Sequence, residues 1–296
     1  MYRVIKALNN NGILALDQDN GREVIFLGNG VGFGKRTGQR VESFSQAKRY
    51  ELAEGKRKTP ALAIINSIEP IYLEITAEII DEAEKRFPNM RRDILLPLAD
   101  HIALAVKRTR DGELLPNPFV QDMRALFPEE FAAARDGCRV IERILGVRLS
   151  EDEAGYISLH IHAGLSGENV SESMDTARLV KESISMIEEG LQTRLPSDSL
   201  GYNRLMSHIR YMIERIRKGE NVNLDMEDYA RTNFPDSYAL AQEICSRMGK
   251  ELKRPIPRQE VGFLGIHIQR VAIDRGRADE IRKTEKTTTQ NQNYRV

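Results

Sequence analysis

Histidine is the residue type whose placement in this sequence most strongly indicates chemistry. There are five histidines in the chain. Four of them form two pairs with identical internal spacing: His101 with His160, and His208 with His267. The fifth, His162, belongs to neither pair. A chain that keeps imidazole at two matched positions, and does so twice, is expected to use it chemically, since a neutral imidazole is nucleophilic near pH 7.

Three uses of these histidines stay open on the residues alone. A single histidine is most often a buried core side chain. His160 and His162 could chelate a metal in an extended segment, but on a helix such residues point apart, and no Cys or acidic residues are spaced to complete the site. The third use is acceptance of a phosphoryl group. The donor would have to be another protein, because the sequence has no Walker loop and no kinase motifs. We expect no metal, no cofactor and no catalytic residues.

The elements that carry the histidines are duplicated. An ungapped alignment of the sequence with itself, which we call the repeat alignment, places His101 on His208 and His160 on His267. It also matches Ile102 with Ile209, Arg108 with Arg215, Gly112-Glu113 with Gly219-Glu220, Phe127-Pro128 with Phe234-Pro235, Cys138 with Cys245, Glu153 with Glu260 and Gly155 with Gly262. So many matches indicate duplication of one domain. Helical spacing of apolar residues, as in Ile102, Ala105 and Val106 and in Ile209, Met212 and Ile213, predicts helical bundles.

Residues 1–55 follow another pattern, the alternation of apolar and polar residues that is typical of short antiparallel strands. Strands are predicted at 2–6, 13–16 and 24–27. An Asn-Asn-Asn-Gly turn at 9–12 joins the first two. The charged stretch from Lys48 to Lys58, which Pro60 closes, is predicted to be a linker or a short helix. The predicted fold class is therefore multidomain: a small all-β N-terminal domain followed by two all-α helical bundles.

Two segments of the N-terminal domain carry side chains suited to RNA. Lys6 and the amides at 9–11 lie where one strand turns into the next, and such amides either shape the turn or bind the edges of unpaired bases. The glycine-rich segment 28–35 does not have the spacing of a dinucleotide-binding loop. It suits base stacking on Phe33 and a phosphate contact from Lys35. Phe33 could also be a core residue.

Composition limits the partners. Lys and Arg together number 44, as do Asp and Glu, so the net charge is zero and any nucleic-acid contact must be local. Cys138 and Cys245 show no metal-ligand spacing. No apolar run approaches the length that a membrane-spanning helix needs, and no leader pattern follows Met1. We expect a cytoplasmic protein without membrane insertion.

The motifs carry a resemblance to a known family. Lys-x-Leu-Asn-Asn-Asn at 6–11 and Gly-x-Gly-x-Gly-Phe-x-Lys at 28–35 are similar to the signature of the co-antiterminator RNA-binding domain of the bacterial antiterminators that control β-glucoside, sucrose and glucose operons. The histidine repeat resembles that family's two phosphotransferase-system (PTS) regulation domains, so the resemblance spans about residues 2–273. The strings at 98–103, 117–119, 159–162 and 208–211 look closest to the glucose branch.

For the N-terminal domain, the resemblance implies a symmetric homodimer that binds a hairpin in nascent leader mRNA and so prevents an overlapping terminator from forming. By motif position, the RNA-contacting residues would be Lys6, Asn9, Asn10, Asn11, Gly28, Asn29, Gly30, Phe33 and Lys35. Some relatives carry Arg where this chain has Asn29.

For the helical domains, the resemblance implies phosphorylation by the PTS sugar permease or by the histidine phosphocarrier protein. The matching positions are His101, His160, His208 and His267. Asp100 keeps the Asp-His pair of the first copy, whereas the second copy has Ser207. The protein would then be a regulator and not an enzyme.

The predicted domains are 1–58 for the RNA-binding domain with its linker, 62–170 and 171–275 for the regulation domains, and 276–296 for a disordered polar tail. Two other functions compete with an RNA-binding regulator. A PTS-regulated DNA-binding activator would need an N-terminal helix-turn-helix, which the strand pattern disfavours, so no DNA partner is expected. A metal-dependent hydrolase would need bound zinc or iron.

Overall fold

The computed structural model describes residues 1–44, 46–52, 65–196, 199–220, 222 and 224–274. The chain forms two compact units, Met1–Met174 and Asp175–Val296. The tail predicted at 276–296 and the stretch 53–58 of the predicted linker lie outside the described residues. None of the described helices is long and apolar enough to cross a membrane.

The first unit opens with a five-stranded antiparallel sheet in the order β4-β1-β2-β3-β5. Its strands are β1 Tyr2–Asn9, β2 Gly12–Asp17, β3 Glu23–Leu27, β4 Arg40–Val41 and β5 Lys48–Glu51. The predicted turn closes the β1–β2 hairpin, where Asn9 pairs with Gly12. The stretch 1–44 contains strands and turns and no helix, so it lacks the helix-turn-helix that the DNA-binding alternative required.

Alternation along these strands buries both faces of the sheet. Val4, Ile13 and Phe26 form a cluster on one face. On the other face, Ile25 and Tyr50 join a larger core that includes helical residues of the same unit. The sheet therefore packs directly against the helical part of the first unit.

The prediction of a linker or short helix beginning at Lys48 was wrong at its start, because Lys48–Glu51 is strand β5. Tyr50 is fully buried and pairs with Ile25 of β3. The neighbouring charges lie at the sheet edge, where Lys48 forms an ion pair with Asp81. Charged residues are common on edge strands because they discourage pairing with other chains. Here they gave the segment the composition of a linker.

The helices of the first unit are α1 Pro70–Glu84, α2 Leu95–Asp111, α3 Val120–Leu126, α4 Pro128–Leu145 and α5 Glu151–Ser166, with one 3-10 turn at Arg92–Ile94. Helix α6, Val170–Gly190, begins at the end of this unit and continues into the second. The second unit then contains α7 Leu200–Lys218, α8 Glu227–Asn233, α9 Pro235–Leu252 and α10 at 258–274.

The duplication is visible in how the helices begin and end. Helices α2 and α7 both end at a glycine with positive φ, Gly112 at 74° and Gly219 at 72°. That conformation suits glycine because it lacks a Cβ. Helices α4 and α9 both begin at the proline of the Phe-Pro motif. The predicted apolar stripes, represented by Ile102 and Ile209, are fully buried in their own units.

Candidate functional sites

The Asn-rich turn and the glycine-rich loop form one surface in the structure. The Gly32 amide donates to the Asn10 carbonyl at 2.9 Å, and the Gly28 amide donates to the Asn11 carbonyl at 2.8 Å. The Asn11 side chain accepts a further bond from the Gly30 amide at 3.1 Å. Two motifs that are well separated in sequence therefore act as one structural element.

Two of the glycines are required because another backbone segment passes very close to them. A Cβ on Gly28 would lie 2.6 Å from the Gln46 carbonyl oxygen, and one on Gly32 would lie 1.9 Å from the Asn9 carbonyl oxygen. The first clash would push the loop away from the segment that precedes β5, and the second would push it away from the hairpin. Gly32 was not among the predicted RNA-binding residues, although the glycine at every second position of the loop was a signal of such close approach.

Three of the predicted RNA-binding side chains are exposed on this surface. Asn10 and Asn29 lie at the turn and in the loop. Phe33 is 73% exposed, which excludes its interpretation as a core residue. An exposed aromatic ring beside exposed amides suits stacking and edge recognition of unpaired bases.

Two other predicted RNA-binding side chains contact the helical part of the first unit. Lys6 Nζ donates to Asn66 Oδ1 at 2.5 Å, and Asn9 Nδ2 donates to Glu74 Oε1 of α1 at 2.6 Å. Asn9 also fixes the turn, since its Oδ1 accepts from the Asn11 amide at 2.8 Å. In this conformation, the Lys6 and Asn9 side chains are occupied by protein contacts.

The first histidine pair converges in space. His101 on α2 and His160 on α5 have ring centroids 5.3 Å apart. His101 Nε2 lies 3.1 Å from Glu153 Oε2, close but without the alignment of a good hydrogen bond. His160 is only 7% exposed. The two imidazoles and the carboxylate therefore form one cluster, which we call the first histidine cluster.

Burial determines the protonation of His160. It lowers the pKa of His160 to about 3, and the charge of nearby His101 adds to the effect. His160 is therefore neutral at pH 7, the form with a nucleophilic nitrogen lone pair. Its Nδ1 is buried and makes no hydrogen bond to any described residue.

Glu153 and Arg108 are components of the cluster that sequence reasoning did not assign to a site. Glu153 is 3% exposed, and its Oε1 accepts from Arg108 Nη2 at 2.8 Å. Burial alone would raise the pKa of Glu153, but the close approach of the His101 ring, the hydrogen bonds from Arg108 and the electrostatic attraction of both residues lower it below its ordinary value. In the second repeat, Arg215 binds Glu260 through two bonds of 2.8 and 2.9 Å. The repeat alignment matches Arg108 with Arg215 and Glu153 with Glu260, and these two identities were the signal in the sequence for the shared ion pair.

The second histidine pair also converges. His208 on α7 and His267 on α10 are stacked, with ring centroids 4.2 Å apart and an interplanar angle of 27°. Burial lowers the pKa of His208 to about 3, helped by His267 and Arg215. Burial likewise lowers the pKa of His267, with Arg270 and Arg204 contributing. We call this pair the second histidine cluster.

His162 has a different environment from the paired histidines. Its Nδ1 lies 3.0 Å from Glu130 Oε1, and its ring packs against Phe127 with centroids 4.1 Å apart. At the matched place in the second repeat, Ser237 donates to Gln269 at 2.9 Å. Among the described residues, no group of three or more His, Cys, Asp or Glu side chains is placed to hold a metal ion.

Two family models match this chain, one in its N-terminal part and one twice in its helical part. The family model of the CAT RNA binding domain matches residues 2–59, and that of the PRD domain matches twice, at 73–164 and 181–271. The glcA/glcB genes antiterminator of Staphylococcus carnosus is 29% identical over 273 residues, which cover 90% of this chain and 94% of that relative. Protein GlcT of Staphylococcus aureus strain Newman is 27% identical over 272 residues, covering 90% and 95%. A crystal structure of GlcT CAT-PRDI is 32% identical, covers 55% of this chain and 98% of that chain, and has a TM-score of 0.48.

Proposed function

The chain belongs to the family of PTS-regulated transcriptional antiterminators that combine a CAT RNA binding domain with two PRD domains, and we propose that its two histidine clusters accept phosphoryl groups that control RNA binding. The ligand of the N-terminal surface would be a hairpin in nascent leader mRNA, bound by a homodimer. The phosphoryl donors would be the PTS sugar permease and the histidine phosphocarrier protein. The controlled operon would encode uptake of a PTS sugar, and the sugar that we propose is glucose.

The convergence of both histidine pairs supports this proposal most. His101 with His160, and His208 with His267, are far apart in sequence, yet each pair meets within 5.3 Å or less between ring centroids. A histidine that only fills the core needs no second imidazole beside it. Phosphoryl acceptance in each regulation domain explains why the pair occurs in both repeats. Phosphoryl transfer needs a neutral imidazole: its lone pair forms the new N–P bond while the bond between phosphorus and the donor's leaving atom breaks.

The effect of a phosphate in the first cluster follows from charge. A phosphoryl group adds about −1.5 to −2 charges. On His101 it would lie near Glu153, whose Oε2 is 3.1 Å from the His101 ring and whose partner is Arg108. Two negative groups cannot share this poorly hydrated position, so the carboxylate must move, or Arg108 must turn from Glu153 to the phosphate. Either change alters the packing of α2 against α5.

On the RNA side, the proposal gives different roles to different residues of the predicted set. Asn10, Asn29 and Phe33 are exposed and would contact bases, while Lys35 would contact phosphate. Gly28, Gly30 and Asn11 would hold the loop in shape, as their hydrogen bonds and close approaches indicate. The N–H groups that Lys6 and Asn9 donate to Asn66 and Glu74 would contact RNA only after leaving those partners.

Phosphotransfer to purified protein tests the histidine proposal. Phosphoenolpyruvate labelled with ³²P, the general PTS phosphotransferase and the histidine phosphocarrier protein are mixed with the chain, and acid-labile, base-stable label is counted. We expect incorporation that falls when His101 and His160, or His208 and His267, are replaced by Ala. His162→Ala is the matched control and should keep full labelling. Label that survives replacement of all four paired histidines would overturn the assignment.

A further inference from the structure

A basic cleft lies in the second unit, and neither histidine of that unit lines it. It is formed by α8, α9, the loop 253–257 and the start of α10, and has a volume of about 770 Å³. Its charged lining consists of Arg231, Lys250, Lys253, Arg254, Arg258 and Glu227. Five cations thus face one carboxylate, in a chain whose net charge is zero. We call this site the basic cleft.

Few of these cations are neutralised within the protein. Arg231 pairs with Asp228, and Arg254 donates to the Ile216 carbonyl oxygen at 3.0 Å. In the described part of the chain, the other three, Lys250, Lys253 and Arg258, have no carboxylate within ion-pair distance. Glu227, the one acid, accepts a hydrogen bond from the Tyr238 hydroxyl at 2.8 Å. Like charges gathered around a cleft repel one another unless an anion lies between them.

The corresponding cleft in the first repeat shows that the fold does not require this charge. It lies at the matched position, measures about 230 Å³, and is lined by three cations and two carboxylates: Arg135, Arg139, Arg148, Glu142 and Glu151. Three of those groups are paired within the protein. Glu151 pairs with Arg124 and Arg135, and Arg139 pairs with Asp136. The same structural position therefore has nearly balanced charge in one repeat and is strongly cationic in the other.

Two of the cations are placed against local preference. Lys253 ends α9 in the left-handed conformation, at φ 53° and ψ 35°, where the first repeat has Gly146 at φ 67°. Lysine is strained there, whereas glycine is not. Arg258 opens α10, where the helix dipole disfavours a cation, while the first repeat has the favourable Glu151. Local conflicts of this kind are typical of functional positions.

We propose that the basic cleft binds a small polyanion that carries phosphate groups, such as a phosphorylated metabolite. Guanidinium groups match phosphate oxygens in pairs, and lysines supply compact positive charge. The volume suits a small molecule, since ligand pockets measure roughly 300–1,000 Å³. Pro255 and Ile256 provide an apolar wall for the remainder of such a ligand. Nothing in this assignment depends on the histidines or on RNA binding.

Titration calorimetry of the full chain with pyrophosphate, at fixed ionic strength in chloride, tests the proposal. We expect saturable one-site binding, with a Kd on the order of 1 mM or lower. Arg258→Glu copies the first repeat and should weaken binding at least roughly tenfold. Arg258→Gln removes the charge without reversing it. This variant should fold like the wild type and should weaken binding by a smaller factor than Arg258→Glu. Arg135→Glu, in the cleft of the first repeat, is the matched control and should bind like the wild type.

Lys253→Gly separates binding from folding. It removes a cation and relieves the left-handed strain, so we expect weaker pyrophosphate binding together with an equal or higher thermal midpoint of the unligated chain. Lack of saturation in the wild type, or equal affinity in the wild type and both Arg258 variants, would overturn the proposal. So would tighter binding of an eight-nucleotide single-stranded RNA that Arg258→Glu abolishes, because the cleft would then be a nucleic-acid site.

Discussion

Asn9 of the hairpin turn donates its side-chain amide to Glu74 of helix α1 at 2.6 Å. This bond joins a residue of the predicted RNA-binding set to the helical part of the first unit. The Asn9 amide carries two N–H groups, and the one bonded to Glu74 cannot donate to a base edge at the same time. RNA recognition through that N–H group therefore competes with the contact between the sheet and α1.

We predict that Glu74→Ala raises the affinity for the hairpin RNA about fivefold, because a half-exposed charge-assisted hydrogen bond is worth about 1 kcal/mol. Electrophoretic mobility shift with purified RNA measures the change. Glu82→Ala removes the same charge from the outer surface of the same helix and should leave the affinity unaltered. Equal affinities for Glu74→Ala and the wild type would show that Asn9 does not have to leave Glu74.

Phe33→Ala should weaken hairpin binding by about 1 to 3 kcal/mol, the usual contribution of an aromatic ring stacked on a base. The thermal midpoint should stay near that of the wild type, since the side chain is 73% exposed. Phe26→Ala is the contrasting variant: Phe26 is 4% exposed in the core of the sheet, and its truncation should unfold the domain. Full RNA affinity in folded Phe33→Ala would exclude stacking at this position.

Glu153→Gln should destabilise the first unit by about 2 to 3 kcal/mol at pH 7, because it breaks a largely buried ion pair with Arg108. The pKa of Glu153 is lowered in the folded state, so its stabilising contribution is present above the ordinary value of 4.5 and is lost as the pH falls further. The difference between wild type and variant, measured by urea unfolding, should therefore shrink below pH 4.5. A difference that stays constant down to pH 3 would contradict the ionised pairing.

His160→Gln should make the free energy of unfolding depend less steeply on pH below neutrality. The pKa of His160 is lowered from 6.5 to about 3 by burial, so the unfolded chain takes up a proton below pH 6.5 that the folded chain does not. The stabilising contribution of the neutral histidine is thus present above pH 6.5 and is lost as the pH falls. The free energy of unfolding, measured with urea between pH 7 and 5, should change less per pH unit in the variant than in the wild type. Equal slopes would mean that His160 is protonated in the folded protein.

The sequence predicted much of this arrangement, for identifiable reasons. The alternation of apolar and polar residues predicted β1 to β3, and the repeat alignment predicted the duplicated helices. Both signals can be read from the sequence because they depend only on the order of residues along the chain. Strand β5 was missed because only Tyr50 of its four residues is apolar, and its partner β3 lies well before it in the chain.

The geometry of the sites depends on tertiary packing, which no pattern in the sequence describes. The repeat alignment showed that the histidines were matched, but it gave no distance between His101 and His160, which depends on how α2 packs against α5. The Asn9–Glu74 bond joins residues 65 positions apart, and no local pattern in the sequence indicates it. Glu153 appeared in the repeat as an identity, yet its position beneath His101 is a consequence of tertiary packing.

We infer that phosphate on the first histidine cluster reduces RNA binding, because α2 and α5 lie in the same compact unit as the sheet that carries the RNA-binding surface and share its core. The most direct test measures hairpin RNA affinity of the full chain before and after stoichiometric phosphorylation, in the wild type and in the double variant His101→Ala, His160→Ala. We predict that phosphorylation lowers the affinity of the wild type at least roughly tenfold, equivalent to about 1.4 kcal/mol, and leaves the double variant unaffected. Unchanged affinity in fully phosphorylated wild-type protein would contradict the account.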